Sequence, residues 1–430
     1  MTKFDYPRLG ETVYRRTLPN GLPVVVVPRP GFTKKLAYFV TDYGSIHTKF
    51  CLDGQEMQAP AGVAHFLEHK MFDMPGGRDI TEEFAALGAN PNAFTSYDMT
   101  AYYFSCTEHF EESLKLLLEF VSTPYYTAES VDKEQGIIGQ QIGMHEDDPN
   151  TQVFEGLMEA MYRSHPISVP ILGTVDTIAQ ITDQTLHDCH RAFYNPSNMM
   201  LCVVGDVDPE QVARMAEEIL PAQSGSAGEK IKDWAEEMTV PTALVRKQME
   251  VAMPTFSMGF KCEIAGCGEA AIRQETVGDL AAEALFGESS ALYLKLYEEG
   301  LIDSSFGGGF ETVDGMAMLT CSGDSDDPLA VRDAILAQAE HLAAEGIDET
   351  AFLRMKRSAL GRRIRDLDSF NSTCFRVCAY HFSDFDYFRF PEVYAAVEAE
   401  EIRQLLQRVV KPSRCAISIV EPLSSKEAES

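Results

Sequence analysis

The order of strands and helices along this chain is written twice, and that repetition constrains the fold more than any single motif. The first run turns at Asn20-Gly21, a strong hairpin signal, into a strand at 23–27, with another strand at 36–43. A helix is expected over 61–74, ended by Pro75-Gly76-Gly77, and a helical segment over 79–87. Two strands rich in Phe, Tyr and Thr cover 92–106, and helices cover 111–121 and 129–146, the second stopped by Asp147-Asp148-Pro149. A strand at 200–204 and a helix at 209–219 close this half. Residues 221–241 mix Ser, Gly, Lys and Glu without an apolar period and read as a linker. Strands near 248–260, helices at 270–286 and 291–298, strands across 306–322 and helices at 328–345 and 349–366 then repeat the order.

Two segments can be laid side by side. VDKEQGIIGQQIGMHED (131–147) and LRMKRSALGRRIRDLDS (353–369) share Gly139 with Gly361 and Ile142 with Ile364, both pairs offset by 222. The parallel order of elements, more than these two letters, points to an ancient duplication. A chain of 430 residues also exceeds one ordinary core. Two domains are therefore expected, at 1–222 and 246–430, joined by a linker at 223–245.

Charge narrows the partners. Lys plus Arg is 36 against 66 for Asp plus Glu, a formal net charge of -30, which disfavours nucleic acid and anionic membranes and suits basic peptides or a basic partner. No apolar run is long enough to span a bilayer and the first residues lack a signal-peptide core, so a cytoplasmic protein is expected. The ten cysteines contain no Cys-x-x-Cys pair and read as buried thiols.

The chemistry is concentrated in Gly62-Val-Ala-His-Phe-Leu-Glu-His-Lys-Met-Phe72. His65 and His69 are four apart, so on a helix their imidazoles share a face and can share an ion such as Zn²⁺. Glu68 lies on the same side, placed to take a proton from a water polarised by that ion. Phe66, Leu67, Met71 and Phe72 supply the buried face, so packing does not require the histidines.

GVAHFLEHKMF resembles the inverted zincin signature of the M16 family, which includes insulinase, pitrilysin and mitochondrial processing peptidase. NAFTSYDMTAYYF (92–104), KEQGIIGQQIGMHEDDP (133–149) and NPSNMMLCVVGDVDP (195–209) are similar to successive segments of that family, and the likeness spans essentially the whole chain. It is strongest to a bacterial branch of insulinase-like proteins associated with 5-aminopentanol modification of elongation factor P. The resemblance implies an α+β fold of two homologous α/β-sandwich halves (LuxS/MPP-like metallohydrolase fold), each a mostly antiparallel sheet packed with helices. It implies a zinc-dependent endopeptidase acting on extended peptides in a chamber made by paired halves. His65 and His69 match metal ligands, Glu68 the general base, Glu134 a supporting glutamate, and Asn92, Ala93 and Phe94 a strand that pairs with substrate.

Two departures accompany it. The third metal ligand of the family is a Glu, and Gln141 stands there. A neutral amide oxygen is the poorer zinc ligand, so the site is expected to be weakened or inactive. An introduced change, natural weakening in a non-catalytic subunit, and replacement by another carboxylate all fit; Glu146 is the nearest candidate but lies about 500° further round the helix. In the second half, family members often carry an Arg and a Tyr that grip the substrate backbone; Leu296 and Asp303 occupy those places. Arg376 and Tyr380 offer a local alternative on an ordinary helix face. The expected partner is a second M16-like subunit supplying the Arg/Tyr pair, or a homodimer. The rival expectation is a pseudo-peptidase that serves as an interaction subunit.

Overall fold

The computed structural model describes residues 1–222 and 227–423; residues 223–226 of the expected linker lie outside the described residues. In chain order the strands are β1 (Thr2–Tyr6), β2 (Glu11–Thr17), β3 (Pro23–Pro28), β4 (Lys35–Thr41), β5 (Lys49–Leu52), β6 (Gln55–Gln58), β7 (Asn90–Thr95) and β8 (Thr100–Cys106). There follow β9 (Met199–Gly205), β10 (Glu229–Lys230), β11 (Leu244–Met249), β12 (Thr255–Cys262), β13 (Gly307–Val313), β14 (Met316–Asp324) and β15 (Cys415–Pro422).

One sheet runs β1-β2-β3-β9-β4-β8-β7 and another β11-β15-β12-β14-β13, with a small third sheet β10-β5-β6. The order β3-β9-β4-β8-β7 is that of β11-β15-β12-β14-β13, element for element. In both, the first pair is parallel and the remaining pairs antiparallel. The duplication read from element order is therefore present in hydrogen-bonded topology, and the fold is α+β as expected. β9 (MMLCVVG) is buried at every position, as a central strand covered on both faces requires.

The chain forms two compact units, one of residues 1–142, 170–232 and 364–388, the other of 143–169, 233–363 and 389–430. These differ from a division at 223–245, because each half lends a helix to the other unit. Helix Pro149–Met161 packs on β11, β12 and β15, whereas helix Phe370–Phe382 packs on β4 and β9. Both are 13 residues long and hold the same place in the repeated order. The physical reason is that a helix settles where a complementary apolar sheet face covers its own apolar stripe, whichever half of the sequence supplied it.

Sequence patterning assigns nothing to Pro149–Met161, and Asp147-Asp148-Pro149 reads as a stop. The same residues also start the next helix: Asp148 caps it by accepting from the Asn150 and Thr151 amides, and Pro149 takes the first turn. Of the cysteines, all free thiols, Cys267 is exposed and Cys51 half-buried, against the expectation of uniform burial. Among the described residues no helix is long and apolar enough to cross a membrane.

Candidate active site

The helix that carries the histidines, Val63–Lys70, is shorter than the expected 61–74. Gly62 starts it at φ 89, where a Cβ would stand 2.4 Å from the Leu172 carbonyl oxygen, so only glycine fits. It stops at Lys70 because the Phe72 and Asp73 amides bond three residues back, to His69 and Lys70, tightening the last turn before Met74 goes extended. Every residue of this helix except His69 is buried, Glu68 and Lys70 included. Polar groups so placed must be satisfied or they destabilise the fold.

Glu68, His69 and Lys70 are each met from a distant part of the chain. The His65 and His69 rings lie 4.6 Å apart, centroid to centroid, tilted by 59°. His69 Nδ1 is 3.0 Å from Glu134 Oε1, on helix Ala128–Glu146. An ionised carboxylate only accepts, so this contact puts a proton on Nδ1 and leaves the Nε2 lone pair uncommitted to Glu134. The Glu134 hydrogen bond raises the pKa of His69 against the opposing effect of burial. Glu68 Oε2 accepts a 2.6 Å hydrogen bond from Thr95 Oγ1. Burial pushes the Glu68 carboxyl upward, and the Thr95 hydroxyl and the His69 ring pull it back.

Gln141 lies two turns beyond Glu134 on the same helix face. Its Oε1 is buried without a hydrogen-bond partner. Among the described residues no three His, Cys, Asp or Glu side chains form a metal-ligand cluster. Glu146 is exposed at the end of this helix.

Asn92, Ala93 and Phe94 lie in β7, which among the described residues pairs only with β8 and forms the edge of its sheet. Asn92 Oδ1 turns back onto the Ala93 amide, and the Phe94 ring packs 6.4 Å from Tyr38 and 6.0 Å from Phe375. Alternation along the strand separates Phe94 from Thr95, so that Thr95 reaches Glu68.

Residues 54–175 match the insulinase (peptidase family M16) model, and 180–359 match the model for the M16 inactive domain. YmfH of Bacillus subtilis, described as an uncharacterized zinc protease, is 36% identical over 98% of this chain and 99% of its own length. The chain belongs to the M16 peptidase family. Among solved M16 structures, an M16-like peptidase from Alicyclobacillus acidocaldarius superimposes with a TM-score of 0.92 at 32% identity, covering 98% of this chain and all of its own. A protease from Helicobacter pylori shares the M16 fold, with a TM-score of 0.83 at 19% identity over 95% of this chain and 99% of its own.

Residues of the second half singled out in the sequence can also be placed. Leu296 is fully buried, and Asp303 is spent on the Ser305 amide and hydroxyl. Tyr380 is buried and Arg376 partly so, on helix Phe370–Phe382. Two residues that the sequence reading does not single out also belong to the site. Thr95 directly follows the Asn-Ala-Phe element, and Lys70 directly follows the second histidine; adjacency to the motifs was the available signal.

Proposed function

We propose that this chain is a zinc-dependent endopeptidase subunit that cleaves extended peptides, with catalysis weakened by Gln141. The observation that supports the reading is the His69–Glu134 contact: a carboxylate on the far nitrogen is how metal-ligating imidazoles are oriented. The donor set fits zinc. His65 and His69 supply two imidazoles, and Gln141 Oε1 is a buried oxygen with no other partner. A bound zinc supplies Lewis acidity and makes a water more acidic. Glu68 takes the proton of the attacking water on its carboxylate and returns it to the amine that leaves. Burial, which pushes the Glu68 carboxyl upward, favours its holding the proton between the two transfers. The free edge of β7 offers backbone groups at Asn92, Ala93 and Phe94 to a peptide lying as an added strand.

The same reading includes a second M16-like subunit supplying the Arg/Tyr pair, or a homodimer. It also includes the bacterial branch associated with 5-aminopentanol modification of elongation factor P, on sequence resemblance alone. The second reading, a non-catalytic interaction subunit, is favoured by Gln141 and by the burial of Leu296. Zinc content, together with cleavage of an unstructured peptide library by the chain alone, with a partner, and as Gln141→Glu, separates the two. Near-stoichiometric zinc and cleavage that rises in Gln141→Glu support the peptidase. Zinc-free protein that stays inactive in every arm supports the interaction subunit.

A further inference from the structure

Lys70 directly follows His69 and is 1% exposed, a position where an unbranched apolar side chain would fill the space at lower cost. Its ammonium is surrounded instead. Nζ donates to Asp73 Oδ2 and, at 3.3 Å, to the Ser130 carbonyl, and lies 3.9 Å from Glu134 Oε2. Glu134 therefore has one oxygen on the His69 ring and the other facing a fixed cation.

The geometry matters because a glutamate has three rotatable bonds. One contact to an imidazole that can itself turn does not fix such a side chain. A cation at the second oxygen does, and this cation is anchored at both ends of the junction. Asp73 follows the Val63–Lys70 helix, and Ser130 lies in the first turn of the helix that carries Glu134 and Gln141.

We propose that Lys70 is a positioning residue for the metal centre: it holds the Glu134 carboxylate against His69 Nδ1 and so keeps the ring turned with Nε2 available to a metal. This rests on the reading of His69 as a zinc ligand.

The test measures two quantities on the full chain: zinc affinity by competition with a chromogenic chelator, and the His69 tautomer in the metal-free protein from its ring ¹⁵N shifts. Lys70→Met is expected to weaken zinc about tenfold or more, the loss usual for groups that orient a ligand, and to convert His69 from Nδ1–H to a mixture with Nε2–H. Lys70→Arg, which keeps a cation there, recovers most of both. In a Glu134→Gln background Lys70→Met adds no further loss, because the residue acts through that carboxylate. Wild-type affinity and an unchanged tautomer in Lys70→Met overturn the proposal, as does an equal loss in the Glu134→Gln background. Should Lys70→Met fail to fold, Asp73→Asn loosens the same anchor at a half-exposed position, with a smaller loss in the same direction expected and no change counting against the proposal. Wild-type protein that takes up no zinc contradicts the reading of the centre, while the tautomer still decides the role of Lys70.

Discussion

Thr95 Oγ1 donates to Glu68 Oε2 at 2.6 Å, which ties the carboxylate proposed as proton acceptor to the strand edge proposed to take a peptide. Movement of β7 is thereby movement of the base's hydrogen-bond partner. Thr95→Val removes the donor and leaves burial to act alone, so the Glu68 pKa rises further. A hydrogen bond to a charged acceptor contributes about 2 kcal/mol, and stability at neutral pH falls by a similar amount. Carboxyl ¹³C titration of Glu68 and denaturant unfolding check both, and Thr95→Ser should restore them. An unmoved Glu68 titration in the valine variant rules the coupling out.

Gln141→Glu has opposite effects in the two metal states. Without zinc, a carboxylate replaces a buried amide oxygen that has no hydrogen-bond donor, and the melting temperature falls. With saturating zinc the added negative ligand binds the ion more tightly, and mass action raises the melting temperature by more than in the wild type. Thermal unfolding with chelator and with zinc measures both shifts. Equal zinc-induced shifts in the two proteins would remove Gln141 from the ligand set.

Gly62→Ala strikes the start of the Val63–Lys70 helix. A Cβ at φ 89 would meet the Leu172 carbonyl at 2.4 Å, and both the left-handed backbone and the clash oppose it. The expected cost is about 2 kcal/mol or more, read from the urea midpoint. By contrast, Gly76→Ala has the same sign of φ but open space around it, and should cost less. A smaller loss at Gly62 than at Gly76 contradicts the account of this helix start.

His190 makes stability depend on pH. Burial lowers its pKa to about 4, although Nε2 lies 3.2 Å from the Val121 carbonyl and that bond pulls the other way. The unfolded chain, with a histidine near 6.5, then binds the proton that the folded chain refuses. The contribution is complete above about pH 6.5 and disappears as pH falls toward 4, with an upper size of about 3 kcal/mol. Denaturant unfolding of wild type and His190→Phe at pH 7.5 and 4.5 tests it. The phenylalanine variant keeps the stack on Tyr194 and should lose less stability on acidification than the wild type.

Several elements were legible from spacing alone. The strand expected at 200–204 lies inside Met199–Gly205, and the helix expected at 129–146 is Ala128–Glu146, because alternation and helical period are local properties of the backbone. The end of the Val63–Lys70 helix was less legible. Its apolar pattern continues to Met74, while the turn at Lys70 is set by hydrogen bonds that no periodicity encodes. Resemblance, rather than residue pattern, led to Glu134. Its contact with His69 joins residues 65 apart, and nothing in either local sequence requires it.

By itself the sequence determined that two imidazoles and a carboxylate would share one helix, and that the element order would recur. Both follow from a fixed rise and rotation per residue and from the repeated alternation of apolar and polar positions. Tertiary structure alone decided that Thr95 holds Glu68, that Lys70 and His69 share the Glu134 carboxylate, and that each half of the chain lends a helix to the other unit. Those arrangements depend on which distant apolar surfaces cover one another, and on the requirement that every charge they carry inward find its counterpart.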